Sequence, residues 1–244
     1  MLGGMIGRIL AAVLLAVAAF AATPAHAQTA GERAEVVVEL YTSQGGCTQC
    51  PRANRLLGWY GREPRVLALT FPVNIWDYLG WRDTFAQPEF SERQRAYSRA
   101  LRVRGRFTPQ LVMNGARQIS AADWDAARAT LDQARSHRLD APRLTITRLR
   151  SGRVRVTVGP GVRDANADVW LMAYDPGPVS VSVTSGVNRS IVIPHYNLVT
   201  RVERVDTWSG ETMWFERSLC MPRCAVIVQA PNGGPILAAA YTLN

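Results

Sequence analysis

The stretch Gly45-Gly46-Cys47-Thr48-Gln49-Cys50-Pro51 constrains this chain more than any other. It follows an apolar run, Val36 to Tyr41, and precedes a helical pattern carrying Leu56 and Leu57. Strand, tight loop, Cys-x-x-Cys and helix start form the order in which paired cysteines carry out thiol–disulfide chemistry. At a helix N-terminus a sulfur faces unpaired N–H groups and the positive end of the helix dipole. Both favour thiolate over thiol, and the thiolate is the nucleophile. Pro51 removes a donor from the first turn, where it would be unpaired anyway. Cys47 is the expected attacking thiolate and Cys50 the expected resolving thiol. Two alternatives stand beside this one: a purely structural disulfide, or half of a zinc site completed by Cys220 and Cys224.

The N-terminal residues have the form of an export signal. Arg8 supplies a positive start, Ile9 to Ala22 an apolar middle, and Ala25-His26-Ala27 a small-residue cleavage site. The apolar run is short for a membrane span. Residues 1–27 are therefore expected to be a signal peptide, cleaved after Ala27, and no other run is long enough to cross a bilayer. The expected destination is the periplasm or the exterior, an oxidising setting in which disulfides persist. All 28 basic residues are arginine, and the formal net charge is +9. Such an excess draws nucleic acid in other settings, but export argues against that partner. Arg93, Arg95, Arg99, Arg102, Arg104 and Arg106 are read as a solvated helix face and its exit.

The near-continuous apolar run to Tyr41 predicts a strand buried on both faces. Glu39 interrupts it. A carboxylate buried near the cysteines would pass protons to and from Cys50, whereas one at a strand end in water would do nothing. A helix from Pro51 to about Tyr60 and a second buried strand, Val66 to Phe71, make a strand–helix–strand unit. The aromatic stretch Asn74 to Asp83 has no period and reads as a loop. Its Trp76 and Trp81 either line a substrate groove beside the cysteines or plug the core. Pro88 to Val103 predicts a helix with Phe90, Gln94, Tyr97 and Leu101 on one face. Thr108–Pro109 opens a strand that ends at a hairpin signal, Asn114-Gly115, and is a candidate cis peptide. A helix over Ala121–Ser136 closes this half.

That order resembles the thioredoxin-fold superfamily. The resemblance implies that Pro109, with Thr108 beside it, lies against the Cys-x-x-Cys and helps bind a substrate backbone. More narrowly, residues Val38 to Gly115 resemble an exported thioredoxin-like family catalogued as domain of unknown function 1223. The shared pieces are Glu39 to Gly45, the Cys-x-x-Cys-Pro, Trp76 to Trp81, Glu92 to Tyr97 and Thr108-Pro109-Gln110. The likeness continues more weakly to the C-terminus. It implies fold and redox chemistry, but no substrate. Gly46 stands as an inserted glycine, and Pro72 and Asn74 stand where relatives tend to carry His and Asp.

Beyond Ser136 short alternating runs replace helices, from Leu144–Leu149 to Ile236–Thr242. The expected fold class is an α/β thioredoxin-like domain over residues 33–137, followed by an all-β, sandwich-like accessory domain over residues 142–244. Cys220 and Cys224 are expected to form a structural disulfide across a loop. Electron relay to Cys50 and Cu(I) binding with Met221 are the alternatives. His195 is a candidate interdomain or metal residue, or a structural hydrogen-bonder.

Together these residues predict an exported thiol–disulfide oxidoreductase acting on protein or small-molecule thiols and disulfides. Cys47 and Cys50 are its catalytic pair, Thr108, Pro109, Trp76 and Trp81 its substrate contacts, and Glu39 its proton carrier. No cofactor is expected, because the cysteines carry the electrons. The alternative is a non-catalytic periplasmic binding or metal-handling module on the same fold.

Overall fold

The computed structural model describes residues 31–139, 141–218 and 222–243. The first half runs β1 (Gly31–Ala34), β2 (Val36–Thr42), α1 (Cys50–Tyr60), β3 (Val66–Pro72), α2 (Pro88–Ala100), β4 (Gln110–Met113), β5 (Arg117–Ser120) and α3 (Trp124–Ser136). The second half has strands alone: β6 (Leu144–Arg148), β7 (Val154–Val158), β8 (Ala167–Asp175), β9 (Val179–Ser182), β10 (Val192–His195), β11 (Leu198–Trp208), β12 (Met213–Arg217), β13 (Arg223–Gln229) and β14 (Ile236–Thr242). The predicted leader lies outside the described residues. Among the described residues no helix is long and apolar enough to cross a membrane.

β2 is buried along its whole length because both of its faces are covered. Val36, Val38 and Leu40 pack with Leu57 and Tyr60 of α1 and Leu131 of α3. Val37 and Tyr41 pack the other way, with Phe90 and Tyr97 of α2. The Asn-Gly signal holds: Asn114 and Gly115 take φ of 50° and 62°, the left-handed pair a tight hairpin needs. α3 starts at Asp123, whose side chain caps the Ala126 N–H at 3.0 Å.

The expected fold class is corrected. The chain is mostly β, and its second half is not a separate β domain beside an α/β one. Strands from both halves form a single nine-stranded mixed sheet, in the order β1-β14-β13-β8-β11-β3-β2-β4-β5. The reason lies at β3. Every residue of this strand is buried, so its outer edge cannot leave N–H and C=O groups unpaired. β11 takes that edge in parallel, with Leu198 opposite Thr70. The Thr70 N–H donates to the Asn197 carbonyl at 2.9 Å, and Asn197 Nδ2 donates to the Ala68 carbonyl at 2.7 Å. β11 then pairs antiparallel with β8 through nine residue pairs, and the sheet continues to β1.

Alternation along β8 and β13 shows what covers the remainder. Met172, Tyr174, Ala225 and Ile227 face the α2 side. Val169, Leu171, Val226 and Val228 face a three-stranded sheet, β12-β7-β6, and pack on Ile146, Val156 and Phe215. The molecule thus has α2 on one face of its main sheet, and α1, α3 and the small sheet on the other.

Candidate functional site

β2 ends at Thr42, and the loop that follows carries the cysteines to the start of α1. Cys47 and Cys50 form a disulfide, with Cα atoms 5.4 Å apart. Cys50 is fully buried, Cys47 is 6% exposed, and Thr48 and Gln49 between them are exposed. The Ser43 N–H points at Cys50 Sγ, 3.4 Å away. α1 is tied to the sheet one turn later, where Asn54 Oδ1 accepts the Thr42 hydroxyl at 2.8 Å. A four-cysteine zinc arrangement is not formed, since these two sulfurs bond to each other.

The aromatic loop packs on the two glycines before Cys47. A Cβ on Gly45 would overlap Trp81, and one on Gly46 would overlap Trp76. The extra glycine before the first cysteine therefore has a steric reason. Trp76 Nε1 donates to the Thr108 hydroxyl at 2.8 Å. Trp81 Nε1 donates to Gln44 Oε1 at 3.0 Å. Both rings are partly exposed, so neither is a core plug. Thr108–Pro109 is a cis peptide. Gln110 pairs with Tyr41, and continuing that register sets Pro109 beside Thr42, at the cysteine end of the sheet. Cys47, Cys50, Trp76, Trp81, Thr108 and Pro109 thus gather at one end of β2.

Glu39 does not join them. It lies on the α2 face of β2, whereas the cysteines lead into α1 on the opposite face. Its carboxylate is fully buried and pairs with Arg93 Nε at 2.8 Å. Arg93 also donates to the Tyr97 hydroxyl at 3.1 Å and lies over the Trp170 ring, 5.2 Å from its centroid. Burial alone would lower the Arg93 value, but Glu39, Tyr97 and Tyr41 together outweigh it and hold it above the ordinary arginine range. The solvated-face reading fails at Arg93 for the same reason.

Cys224 is the second residue of β13, four strands from β2 in the sheet order, about 19 Å at the usual strand spacing. It is disulfide-bonded, and Cys220 lies outside the described residues. His195 is fully buried and accepts no role at the surface. Its Nδ1 is 3.3 Å from the Val179 carbonyl, and the Phe85 ring stands edge-on at 5.3 Å. Burial lowers its value to about 4, so it is neutral at ordinary pH.

Three further residues build the site, and no sequence motif gave any of them a role in it. Asp83 is 4% exposed and accepts the Gln44 N–H at 2.8 Å and the Phe85 N–H at 3.1 Å. Burial pushes its carboxyl up to about 6, against the pull of those N–H groups. Gln44 Oε1 accepts from Trp81 and from the Thr84 N–H, joining the two loops. Asn188 is 1% exposed and donates from Nδ2 to the carbonyls of Gln44, at 2.6 Å, and Cys47, at 2.8 Å. The adjacent Val187 N–H donates to the Gly45 carbonyl at 2.8 Å.

A family model described as "Protein of unknown function (DUF1223)" matches residues 37–229. The chain belongs to the DUF1223 family. Among solved structures it is similar to a structural-genomics protein from Agrobacterium tumefaciens, with 30% identity and a TM-score of 0.72. That match covers 87% of this chain and 95% of the other. An endonuclease/exonuclease/phosphatase from Beutenbergia cavernae matches at 21% identity over 41% of this chain and 23% of its own, with a TM-score of 0.23. No functionally curated protein matches. The DUF1223 match spans both halves of the chain, as the single nine-stranded sheet does.

Proposed function

We propose that this DUF1223 protein is an exported thiol–disulfide oxidoreductase that exchanges the Cys47–Cys50 disulfide with thiols of proteins or small molecules. The observation that carries this reading is the disulfide itself, set at the first residue of α1 with Cys47 the more open of its two sulfurs. An incoming thiolate attacks Cys47 Sγ, the S–S bond breaks, and Cys50 leaves as a thiolate. The Ser43 N–H and the start of α1 stabilise that leaving charge. A second thiol attacks the mixed disulfide, releases the substrate as a disulfide and leaves Cys47 reduced; two protons complete the dithiol. In the reverse direction the Cys47 thiolate attacks a substrate disulfide and Cys50 resolves it. Trp76, Trp81, Thr108 and Pro109 border the approach and contact the substrate. Residues 1–27 direct the chain to the periplasm or exterior, where such disulfides persist.

The test is redox equilibration of the mature protein with glutathione, read by alkylation and mass spectrometry for each cysteine. Opening of Cys47–Cys50 at a defined potential supports exchange, and the potential gives its direction. A pair that never opens removes the enzymatic reading.

One observation favours a second reading, a non-catalytic binding module. Cys47 is only 6% exposed, while a cavity of about 490 Å³ lies on the α2 face, lined by Arg93, Arg99, Trp170, Val202 and Arg204. That volume suits a small ligand. On this reading the disulfide stays closed, and substitution of Trp170 rather than Cys47 abolishes ligand capture.

A further inference from the structure

The strand-rich half of the chain sends one loop onto the cysteines. Ser185 Oγ donates to the Gly80 carbonyl at 2.8 Å, gripping the aromatic loop. Gly186 lies so close to Gly45 that a Cβ there would overlap the Gly45 carbonyl. The Val187 N–H and both Asn188 bonds then fasten the carbonyls of Gly45, Gln44 and Cys47. Two consecutive peptide units, at the carbonyls of Gln44 and Gly45, and the carbonyl of Cys47 itself are thereby held from outside the local fold.

We infer that residues 186–188 are a positioning clamp that sets the reduction potential of the Cys47–Cys50 pair, with Asn188 its principal residue. This rests on the exchange reading above. The physical argument is effective concentration. Closing the pair forms the Sγ–Sγ bond and passes two electrons and two protons to an acceptor disulfide, which opens to two thiols. In the reduced protein the sulfurs can drift apart only as far as the loop before Cys47 allows. A clamped loop keeps them near bonding distance, so ring closure loses little freedom and the disulfide is favoured. Asn188 is itself buried in the fold, touches no reacting sulfur, and acts through the backbone it holds.

Asn188→Ala is expected to shift the thiol–disulfide equilibrium about tenfold toward the dithiol, which for a two-electron couple is about 30 mV. Asn188→Ser keeps one donor and should shift it less. Ser185→Ala releases only the aromatic loop and should leave the equilibrium near that of the parent. The equilibria are measured in dithiothreitol buffers as well as glutathione, alongside thermal melts. A pair that opens in dithiothreitol but never exchanges with glutathione ends the oxidoreductase reading while still testing the clamp. A folded Asn188→Ala or Asn188→Ser protein with the parent potential in dithiothreitol overturns the clamp, whatever glutathione does.

Discussion

Glu39 and Arg93 show how far single residues can be read. A carboxylate within an apolar run signals something buried and paired, but not the side of the strand it faces. Strand alternation puts Glu39 on the α2 face with Val37 and Tyr41, and its partner stands 54 residues away in a helix that reads as solvated. Breaking such a pair strands a buried charge, which costs about 3–5 kcal/mol. Glu39→Gln is therefore expected to lower unfolding free energy by about 3 kcal/mol, since the amide still accepts one Arg93 bond. It should leave the pH profile of Cys47–Cys50 exchange unchanged. Denaturant unfolding and exchange rates across pH check both statements; a displaced profile would restore Glu39 as the proton carrier. The Cys47–Cys50 disulfide at the start of α1 is legible for the opposite reason, since its place is fixed by immediate neighbours. Asn188 donates across 141 residues, and no local pattern announces it.

At the scale of elements, the helices and most strands follow from period and punctuation, as with Gly61 after α1 and Asn114-Gly115 in the β4–β5 turn. The loop over Trp76 to Phe85 does not, because it is shaped by contacts with the cysteine loop and with β10. Asp83 has a folded value raised from 3.8 to about 6 by burial, so its contribution is present below 3.8 and is lost as pH rises through about 6. His195 is lowered from 6.5 to about 4, so its contribution is present above 6.5 and is lost as pH falls through about 4. The two oppose each other across the same acidic window. Asp83→Asn should leave the histidine effect uncovered, and the melting temperature should fall more steeply on acidification from pH 6.5. His195→Gln should do the reverse, with stability improving toward low pH relative to the parent. Melting curves across that window decide both.

For the whole molecule, strand content is legible but the division into two bodies is not. Runs such as Val66 to Phe71 say that a strand is buried on both faces; they do not say which strand fills its free edge. β11 does so from the second half, and the α2-side core draws Tyr41, Phe71 and Phe90 together with Met172, Tyr174 and Ile227. Residues 31–137 expressed alone should therefore fail to fold cooperatively and should bind a hydrophobic dye. A sharp unfolding transition from that fragment would show that the first half stands by itself.

β1 lies at the rim of the main sheet, and among the described residues its strand partner in that sheet is β14, with Gly31 opposite Thr242. The earliest described strand thus waits for the latest one. During synthesis the rim stays open until residue 242 has left the ribosome. The same pairing brings the two ends of the described chain side by side. A short linker could join them and the chain be cut anew at an exposed turn, yielding a permuted protein with the cysteine loop and its clamp in place.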